Sequence, residues 1–327
     1  MGLLVSVIAG IVPMFLYAWL LYFLDRYEKE PLHLLVGVFL WGAVIAAGAA
    51  FMINTLSSMG LYLITQSEFA TQLTLSTLVA PAVEETLKGL AVLVVFLIFR
   101  FEFDSLLDGV VYGAVTALGF AATENIWYIH QLGFLENNWQ GLLDLTLIRV
   151  LMVGWQHPFY TAFIGLGFAV SRRSTQAAWK LIAPIFGWLL AVSFHFFHNL
   201  LASLLNNQPG LTLAAIWDWI GYIGLFVLII LLIRREQHWM KEYLTPEFDQ
   251  ELLSSVQYQI ACSAWRQSIV FFQARMAGNY HPIRRFYQVC GDLMHKKRQL
   301  SRHGDESGTA SEISRLRAEL TQLAETI

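Results

Sequence analysis

One short stretch of the chain carries the side chains best suited to chemistry: Ala80-Pro81-Ala82-Val83-Glu84-Glu85-Thr86-Leu87-Lys88-Gly89. It lies inside an apolar run, Leu73–Phe99, that is long enough to cross a bilayer. Charged groups deep in hydrocarbon are costly, at about 2.5–3.5 kcal/mol each, so they mark a working site more often than an anchor. On a helix, Lys88 lies four residues from Glu84 and three from Glu85, so it can pair with either carboxylate. The alternative is a structural ion pair that locks helix packing.

Further polar residues with chemical potential fall on three later apolar segments. They are Glu124 with Asn125, Arg149 with His157, and His195 and His198 with Asn199. Carboxylates with two histidines suit a zinc ion that keeps an open water position. They equally suit a metal-free site where a glutamate deprotonates water. Asn199, one turn after His195, can donate to an oxyanion. Taken singly, a histidine such as His198 is more often a packing residue.

These side chains must be positioned by membrane-spanning helices. The chain has 327 residues, is 56% hydrophobic and has a mean hydropathy of +0.53, which excludes an ordinary soluble domain. Because lipid cannot satisfy an open backbone, we predict an all-α, polytopic transmembrane bundle with a helical tail. Small residues at four-residue spacing, Gly109, Gly113, Ala117 and Ala121, predict a close helix contact. The seven predicted spans are Leu3–Leu24, Leu32–Ile53, Leu73–Phe99, Val110–His130, Leu145–Val170, Leu181–Leu205 and Leu211–Ile233.

Lys and Arg are confined to alternate connections between the predicted spans. Three connections, near residues 57–71, 131–144 and 206–210, contain neither residue, whereas Arg26 and Lys29 follow the first span. The positive-inside rule therefore places the N-terminus outside and the tail in the cytoplasm. We predict a bundle domain over residues 1–235 and a cytoplasmic tail over residues 236–327.

The tail has its own helical pattern. Thr245-Pro246-Glu247 predicts a helix start, and Gly278 predicts its end. A second helix, 282–302, is basic and either lies on anionic lipid or presents a solvated face. We expect the tail to contact anionic lipid or a cytoplasmic partner, and no nucleic acid. After a linker over 301–310, a short apolar stripe predicts a last helix and comprises Ile313, Leu316, Leu320, Leu323 and Ile327.

Four motifs, taken in chain order, resemble the PrsW family of intramembrane proteases. They are Glu84-Glu85-x-x-Lys88, Phe120-x-x-x-Glu124-Asn125, Arg149 with His157, and His195-x-x-x-Asn199. The charged loop Asp25–Pro31 is similar to the family's first connection, and the resemblance covers about residues 1–235. The motifs are also similar to those of the wider CAAX-protease and bacteriocin-processing superfamily. There an Arg follows the paired glutamates and a His ends the second motif. In this chain, Lys88 comes one residue earlier than that Arg, and Glu124 stands in place of that His. Both differences favour the PrsW branch.

The resemblance implies an endopeptidase embedded in a bacterial inner or plasma membrane. Its substrate would be a membrane protein or peptide, as in site-1 cleavage of an anti-sigma factor. The implied base is Glu84, with Glu85 as a metal ligand or a partner that orients water, while Lys88 sets the charge state of the acids. The residues that complete the implied site are Glu124 and His157, with His195 and Asn199 binding the oxyanion.

The cofactor is not decided by the resemblance. If zinc is bound, its expected ligands are Glu85, Glu124, His157 and His195. A metal-free mechanism with a glutamate-activated water stays open.

Two other classes of protein also stay open at the level of sequence. A membrane lipid hydrolase, such as a zinc amidase, would need a lateral cavity the size of a lipid. A non-enzymatic transporter or proton-coupled receptor buries acids and histidines just as naturally, although the sequence contains no clear internal repeat.

Overall fold

The computed structural model describes residues 1–25, 27–204, 208–305 and 308–324, and every regular element within them is helical. Arg26, Asn206 and Ile327, which entered the sequence predictions, lie outside the described residues. The α-helices are, in chain order, α1 Gly2–Leu24, α2 Leu32–Leu40, α3 Ala47–Thr65, α4 Glu68–Thr74, α5 Ala80–Ile98, α6 Leu106–Tyr128, α7 Leu135–Thr146, α8 Gln156–Arg173, α9 Ala177–Leu204, α10 Gln208–Asp249, α11 Ser255–Ala261, α12 Ala264–Ala277, α13 Tyr280–His303 and α14 Thr309–Ala324. Four π-helical turns, Trp41–Ala46, Leu75–Val79, Ile129–Phe134 and Leu147–Met152, join neighbouring helices of the described chain.

Five helical runs within the described residues are long and apolar enough to cross a membrane. They are Gly2–Leu24, Leu32–Thr65, Leu106–Arg173, Ala177–Ser203 and Thr212–Asp249. An all-helical membrane architecture is therefore confirmed, but the count of seven spans is not. The run Leu106–Arg173 contains two of the predicted spans. The predicted span Leu73–Phe99 is helical as well but is not among the five, since three charged residues interrupt its apolar composition.

Two connections that we predicted as loops are largely helical. The first, near residues 57–71, is occupied by α3 up to Thr65 and then by a turn at Gln66, whose φ is 48°. The second, 131–144, is occupied by a π-helical turn and α7, with non-helical backbone at Asn137 and Asn138. The prediction was wrong because a lack of Lys and Arg reports the side of the membrane and does not end a helix.

Helix α6 is the central helix of the bundle and is buried along most of its length. It begins with a reciprocal cap, in which Ser105 Oγ accepts from the amide of Asp108 at 3.2 Å and Asp108 Oδ2 accepts from the amide of Ser105 at 2.6 Å. This cap satisfies backbone donors at the buried start of the helix. Helix α6 can therefore be buried inside the bundle and pack against several other helices.

Glycines allow helices α6 and α8 to touch through their backbones. A Cβ atom on Gly165 would lie 1.8 Å from the carbonyl oxygen of Gly109, and one on Gly113 would lie 2.6 Å from that of Thr161. The small-residue spacing on α6 predicted such a contact. The contact brings α8, which carries His157 and Thr161, against the helix that carries Glu124.

The chain forms two compact units. One contains residues 1–23 and 30–228, and the other contains residues 24–29 and 229–327, so helix α10 contributes to both. The short segment Leu24–Lys29, between α1 and α2, groups with the second unit although it lies far from it in sequence.

The second unit is built around α13. Phe286, Val289 and Leu293 have no exposed surface and form its core with residues of α10, α11, α12 and α14. Tyr27 is buried in the same core, and its carbonyl oxygen would lie 1.6 Å from a Cβ atom on Gly291, which explains the glycine. The stripe of α14 packs into this core as its spacing predicts, through Ile313, Leu316, Leu320 and Leu323.

One prediction for the tail is corrected and one is confirmed. Helix α10 continues through Pro246 to Asp249, so Thr245 does not start a helix; its hydroxyl instead donates to the carbonyl of Lys241 at 2.6 Å. Gly278 does end α12, with a φ of 78°. The basic helix is α13, and two of its charges are paired inside the unit, since Lys297 lies 2.6 Å from Glu247 Oε2 and Arg285 Nε lies 2.6 Å from Glu319 Oε1, while Arg302 is exposed.

Candidate active site

Glu85 is the most firmly held acid of the bundle. Its Oε1 accepts from Lys88 Nζ at 2.7 Å and lies 3.0 Å from His195 Nδ1, while its Oε2 accepts from the Thr161 hydroxyl at 2.7 Å. Neither Glu85 nor Lys88 has any exposed surface. With both oxygens engaged, Glu85 is suited to hold Lys88 and to fix the ring of His195, leaving the Nε2 of that ring for another partner.

The carboxylate of Glu84 is less fully hydrogen-bonded than that of Glu85. Its Oε2 is buried and has no hydrogen-bond partner among the described residues. The nearest cationic and imidazole groups are Lys88 Nζ at 3.8 Å and His195 Nε2 at 4.0 Å. The other oxygen, Oε1, is 3.5 Å from the side-chain amide of Asn54. A buried carboxylate oxygen in this position requires a water, a proton or a metal ion.

His157 joins the two acidic helices, α5 and α6. Its Nδ1 lies 3.1 Å from Lys88 Nζ and its Nε2 lies 2.9 Å from Glu124 Oε2. The same oxygen of Glu124 accepts from the guanidinium of Arg149 at 2.6 Å, and Arg149 Nε also donates to Asn125 Oδ1 at 3.1 Å. Arg149 therefore neutralises Glu124, as its position in an apolar span suggested.

A third group of polar residues lies behind His195. The ring of Tyr160 stacks on the imidazole of His195 at 5.1 Å between centroids, and its hydroxyl donates to Asp218 Oδ1 at 2.9 Å. The other oxygen of Asp218 lies 2.7 Å from His198 Nδ1. Asp218 has no exposed surface and points into the bundle.

Asn199 has a different contact from the one we expected. Its amide donates to the carbonyl oxygen of Ser76 at 2.7 Å, in the π-helical turn before α5. A π-helical turn leaves backbone groups unpaired, and this bond satisfies one of them. The contact joins α9 to the turn just before α5, so Asn199 positions the helix that carries Glu84 and Glu85.

The structure brings together a donor set that fits a metal ion. One ligand atom each from Glu84, His157 and His195 lie within 4.8 Å of one another, and Glu84 Oε2 is otherwise without a partner. One glutamate with two histidines is the donor set of thermolysin-type zinc sites. Ligands of a tetrahedral zinc ion are about 3.3 Å apart, so these three would have to draw in by up to about 1.5 Å. The expected set contained Glu85 and Glu124 instead; here both oxygens of Glu85 and one of Glu124 are engaged by protein groups.

Several residues of this network were not predicted from the sequence. Thr161 and Tyr160 lie four and three residues after His157, so helical spacing alone could have placed them on its face. Asn54 and Asp218 carry no such signal, because each lies on a span that has no other residue of the site. Their contacts depend on how the helices cross.

The chain was compared with protein families, with characterised proteins and with solved structures. Residues 30–233 match the family described as PrsW family intramembrane metalloprotease. The chain is 28% identical over 192 residues to Protease PrsW of Geobacillus kaustophilus, covering 56% of this chain and 78% of the relative. It is 25% identical over 225 residues to Protease PrsW of Bacillus subtilis, covering 68% and 88%. No solved structure matches it.

Proposed function

This chain belongs to the PrsW family of intramembrane proteases, and from that premise we propose that Glu84 and its neighbours hydrolyse a peptide bond of a membrane protein. The observation that carries the assignment to Glu84 is its buried Oε2, which has no hydrogen-bond partner in the described part of the chain and lies 4.0 Å from His195 Nε2. The chain is an integral membrane protein of a protease family; the residue roles, the metal and the substrate are our proposals.

In the proposed reaction, Glu84 holds the attacking water, takes its proton as the new C–O bond forms, and returns that proton to the amide nitrogen as the C–N bond breaks. Glu85 keeps His195 oriented through the contact with its Nδ1, so that His195 Nε2 faces the reacting groups. Lys88 stays between Glu85 and His157 and compensates the negative charge of the acids. Lys88 is the group available to stabilise the negative charge that develops on the peptide carbonyl oxygen. His195 can do so only when protonated, because a neutral ring that donates from Nδ1 to Glu85 has an acceptor at Nε2.

Glu124 and His157 form the opposite wall of the site. Arg149 neutralises Glu124, which in turn fixes the ring of His157 through Nε2. If a zinc ion is bound, Glu84, His157 and His195 would hold it, and the ion would make a bound water more acidic and polarise the peptide carbonyl. For His157 this requires that the ring exchange its contact with Lys88 or Glu124 for the metal.

For the substrate we propose a membrane protein cut within or beside its transmembrane segment, with an anti-sigma factor as the first example to test. Support comes from the family resemblance of the four motifs. We also propose an outer N-terminus and a cytoplasmic tail, supported by the three connections without Lys or Arg.

The decisive experiment compares three variants of the purified chain in nanodiscs, Glu84→Gln, Glu85→Gln and His157→Ala, with cleavage of a transmembrane reporter. Glu84→Gln should fold at normal yield, because it removes a buried charge, and should lose cleavage by a factor of about 10² to 10⁴. Glu85→Gln should be less stable as well as less active, since it leaves Lys88 without its nearest partner.

Glu136→Gln is the matched control, because Glu136 is exposed on α7. It should leave both yield and cleavage unchanged. Zinc content of the wild type and of Glu84→Gln, measured on the same preparations, separates the two mechanisms: a metal bound by the wild type and lost in the variant favours the zinc mechanism. Normal cleavage by all three folded site variants would refute the proposed site.

A further inference from the structure

Helix α12 carries a row of large apolar side chains on its outer face. Trp265, Ile269, Phe272 and Met276 recur at four-, three- and four-residue spacing, which places them on one side of the helix. Their exposed fractions are 75%, 42%, 68% and 76%. Single exposed apolar residues are common, but a continuous stripe of this size indicates a surface that is covered in the working protein.

The outward direction of the stripe is fixed by the fold of the second unit. The opposite side of α12 contains Gln267 and Ala274, which are 1% and 3% exposed, and Val270 and Phe271 pack against the core. Gln267 further anchors the helix by donating to the carbonyl of Ala261 at 2.8 Å. The helix cannot rotate its stripe into the core without losing these contacts, so the covering surface must come from outside the unit.

Charge around α12 indicates what that surface is. The sequence from residue 252 to residue 291 contains no Asp or Glu but four arginines, Arg266, Arg275, Arg284 and Arg285. At 3.6 residues per turn, Arg266 and Arg275 fall about 90° to either side of the stripe. Both are exposed. A helix with an aromatic face flanked by arginines is suited to lie in the plane of a membrane that contains anionic lipid.

The way the chain reaches α12 supports the same partner. Helix α10 continues without interruption from the last predicted span to Asp249, at the start of the segment that leads into α11 and α12. The tail is therefore tethered to the membrane by the chain itself, so a lipid surface has a high effective concentration around it. The basic helix α13, for which the sequence left lipid contact and a solvated face equally open, has its centre in the core of the unit.

We propose that α12 is an interfacial helix that inserts Trp265, Ile269, Phe272 and Met276 among the headgroups of an anionic membrane. Arg266 and Arg275 then lie at the level of the lipid phosphates. The tail is thereby docked on the membrane by a face that takes no part in the proposed chemistry.

Spin labels on the full chain test this docking. Phe272→Cys and Met276→Cys place labels on the stripe, and Arg302→Cys places one at an exposed position of α13 as a control. The native Cys262 and Cys290 are buried, and burial raises the pKa of Cys262 to about 11, so both should react slowly; the unsubstituted chain, labelled in parallel, measures any background. Each labelled protein is placed in nanodiscs of phosphatidylcholine alone or with a third of phosphatidylglycerol.

In the anionic nanodiscs, labels at positions 272 and 276 should gain accessibility to oxygen and lose accessibility to a water-soluble nickel complex. Their depth should be about 5–10 Å below the headgroup surface, while the label at position 302 stays aqueous. Combining either stripe label with Arg266→Gln and Arg275→Gln should reduce the depth.

Aqueous labels at both stripe positions in anionic nanodiscs would overturn the proposal. So would shielding that already occurs in detergent and increases with protein concentration, since the stripe would then be covered by a second copy of the chain. Neither result affects the proposed protease function, which depends on the bundle.

Discussion

Buried charges in both units are held in pairs or longer chains. In the bundle, Lys88 bridges Glu85 and His157. In the tail, Glu247 has no exposed surface and accepts from Lys297 at 2.6 Å and from Arg317 at 2.9 Å. Removing one member of such a pair strands the other and typically costs about 3–5 kcal/mol. Substitutions at these residues therefore test folding as well as function, and yield must be measured beside activity.

Asp292 in α13 gives a pH-dependent prediction for the tail. Burial raises the pKa of Asp292 to about 6, although Arg285, 3.7 Å away, opposes the shift. Because the folded pKa lies above the ordinary value, the folded tail binds this proton more tightly than the unfolded chain. Its favourable contribution to the free energy of unfolding is complete below about pH 4 and is lost as the pH rises through about 6. Asp292→Asn should therefore stabilise the tail at pH 7.5 by about 1–2 kcal/mol, after allowance for partial exposure.

Hydrogen exchange of tail peptides in the full chain measures this effect. Exchange in Asp292→Asn should be slower than in the wild type at pH 7.5, with a smaller difference at pH 5 once rates are corrected for pH. Asp249→Asn, at an exposed position, is the matched control and should change neither. An equal gain at both pH values would show that the carboxylate charge is not the cause.

The residue types of the site could be predicted from the sequence, but the hydrogen-bond partner of each side-chain atom could not. Glu84, Lys88 and His157 were selected because charge is rare in an apolar span. Helical spacing gives the face of a residue on its own helix and says nothing about the neighbouring helix. For this reason, the sequence could not show that Glu85 has both oxygens engaged while Glu84 keeps one free.

At the scale of helices, close packing at glycine positions sets the geometry of the site. Helices α6 and α8 meet where Gly109 and Gly165 leave no room for a Cβ atom. Four residues before Gly165, Thr161 reaches Glu85 on a third helix, α5. A small change in the α6–α8 distance therefore displaces Thr161 and, with it, the side chain of Glu85 that it contacts.

Gly165→Ala tests this dependence. The added Cβ would lie 1.8 Å from the carbonyl oxygen of Gly109, so the helices must separate. We expect a loss of about 1–3 kcal/mol in stability and a larger fall in reporter cleavage, because catalytic groups tolerate little displacement. Thermal unfolding in detergent and the cleavage assay measure the two effects.

Gly37→Ala on α2 is the control, since nothing lies within 4 Å of its Cβ position. It should retain full stability and activity. A Gly165→Ala protein that matches it in both would mean that the α6–α8 contact does not set the site.

Helix existence was predicted well and helix ends poorly. The four-residue spacing on α6 indicated a close contact, and its partner on α8 carries the same signal, since Thr161, Gly165 and Ala169 are also small and four residues apart. Thr245-Pro246 has the composition of a helix start and yet lies inside α10. Tertiary packing of α10 against the tail core, through Trp239, Met240 and Leu244, overrides the local preference.

For the whole molecule, the orientation in the membrane is predicted by the distribution of Lys and Arg along the sequence. The three connections without Lys or Arg predict that the segment around Asn137 faces outward and the tail faces the cytoplasm.

Cysteine labelling in intact cells tests this orientation. A membrane-impermeant maleimide should label Asn137→Cys directly, and should label Arg302→Cys only after the cells are permeabilised. Both positions are exposed in the folded protein, so access depends on the side of the membrane and not on burial. The reverse pattern would invert the topology.

The burial of Tyr27 in the second unit has a consequence for biosynthesis. About 200 residues separate the segment Leu24–Lys29 from the rest of that unit, which begins at residue 229. At a translation rate of about 5–20 residues per second, Tyr27 waits roughly 10–40 s for the chain that will bury it. During this interval the aromatic side chain of Tyr27 is not yet buried, so a chaperone or a quality-control protease can recognise it. Tyr27 is therefore buried only after the last helices have been synthesised. When a ribosome stops early, Tyr27 stays exposed near the N-terminal end of the chain, where a chaperone or protease can recognise it.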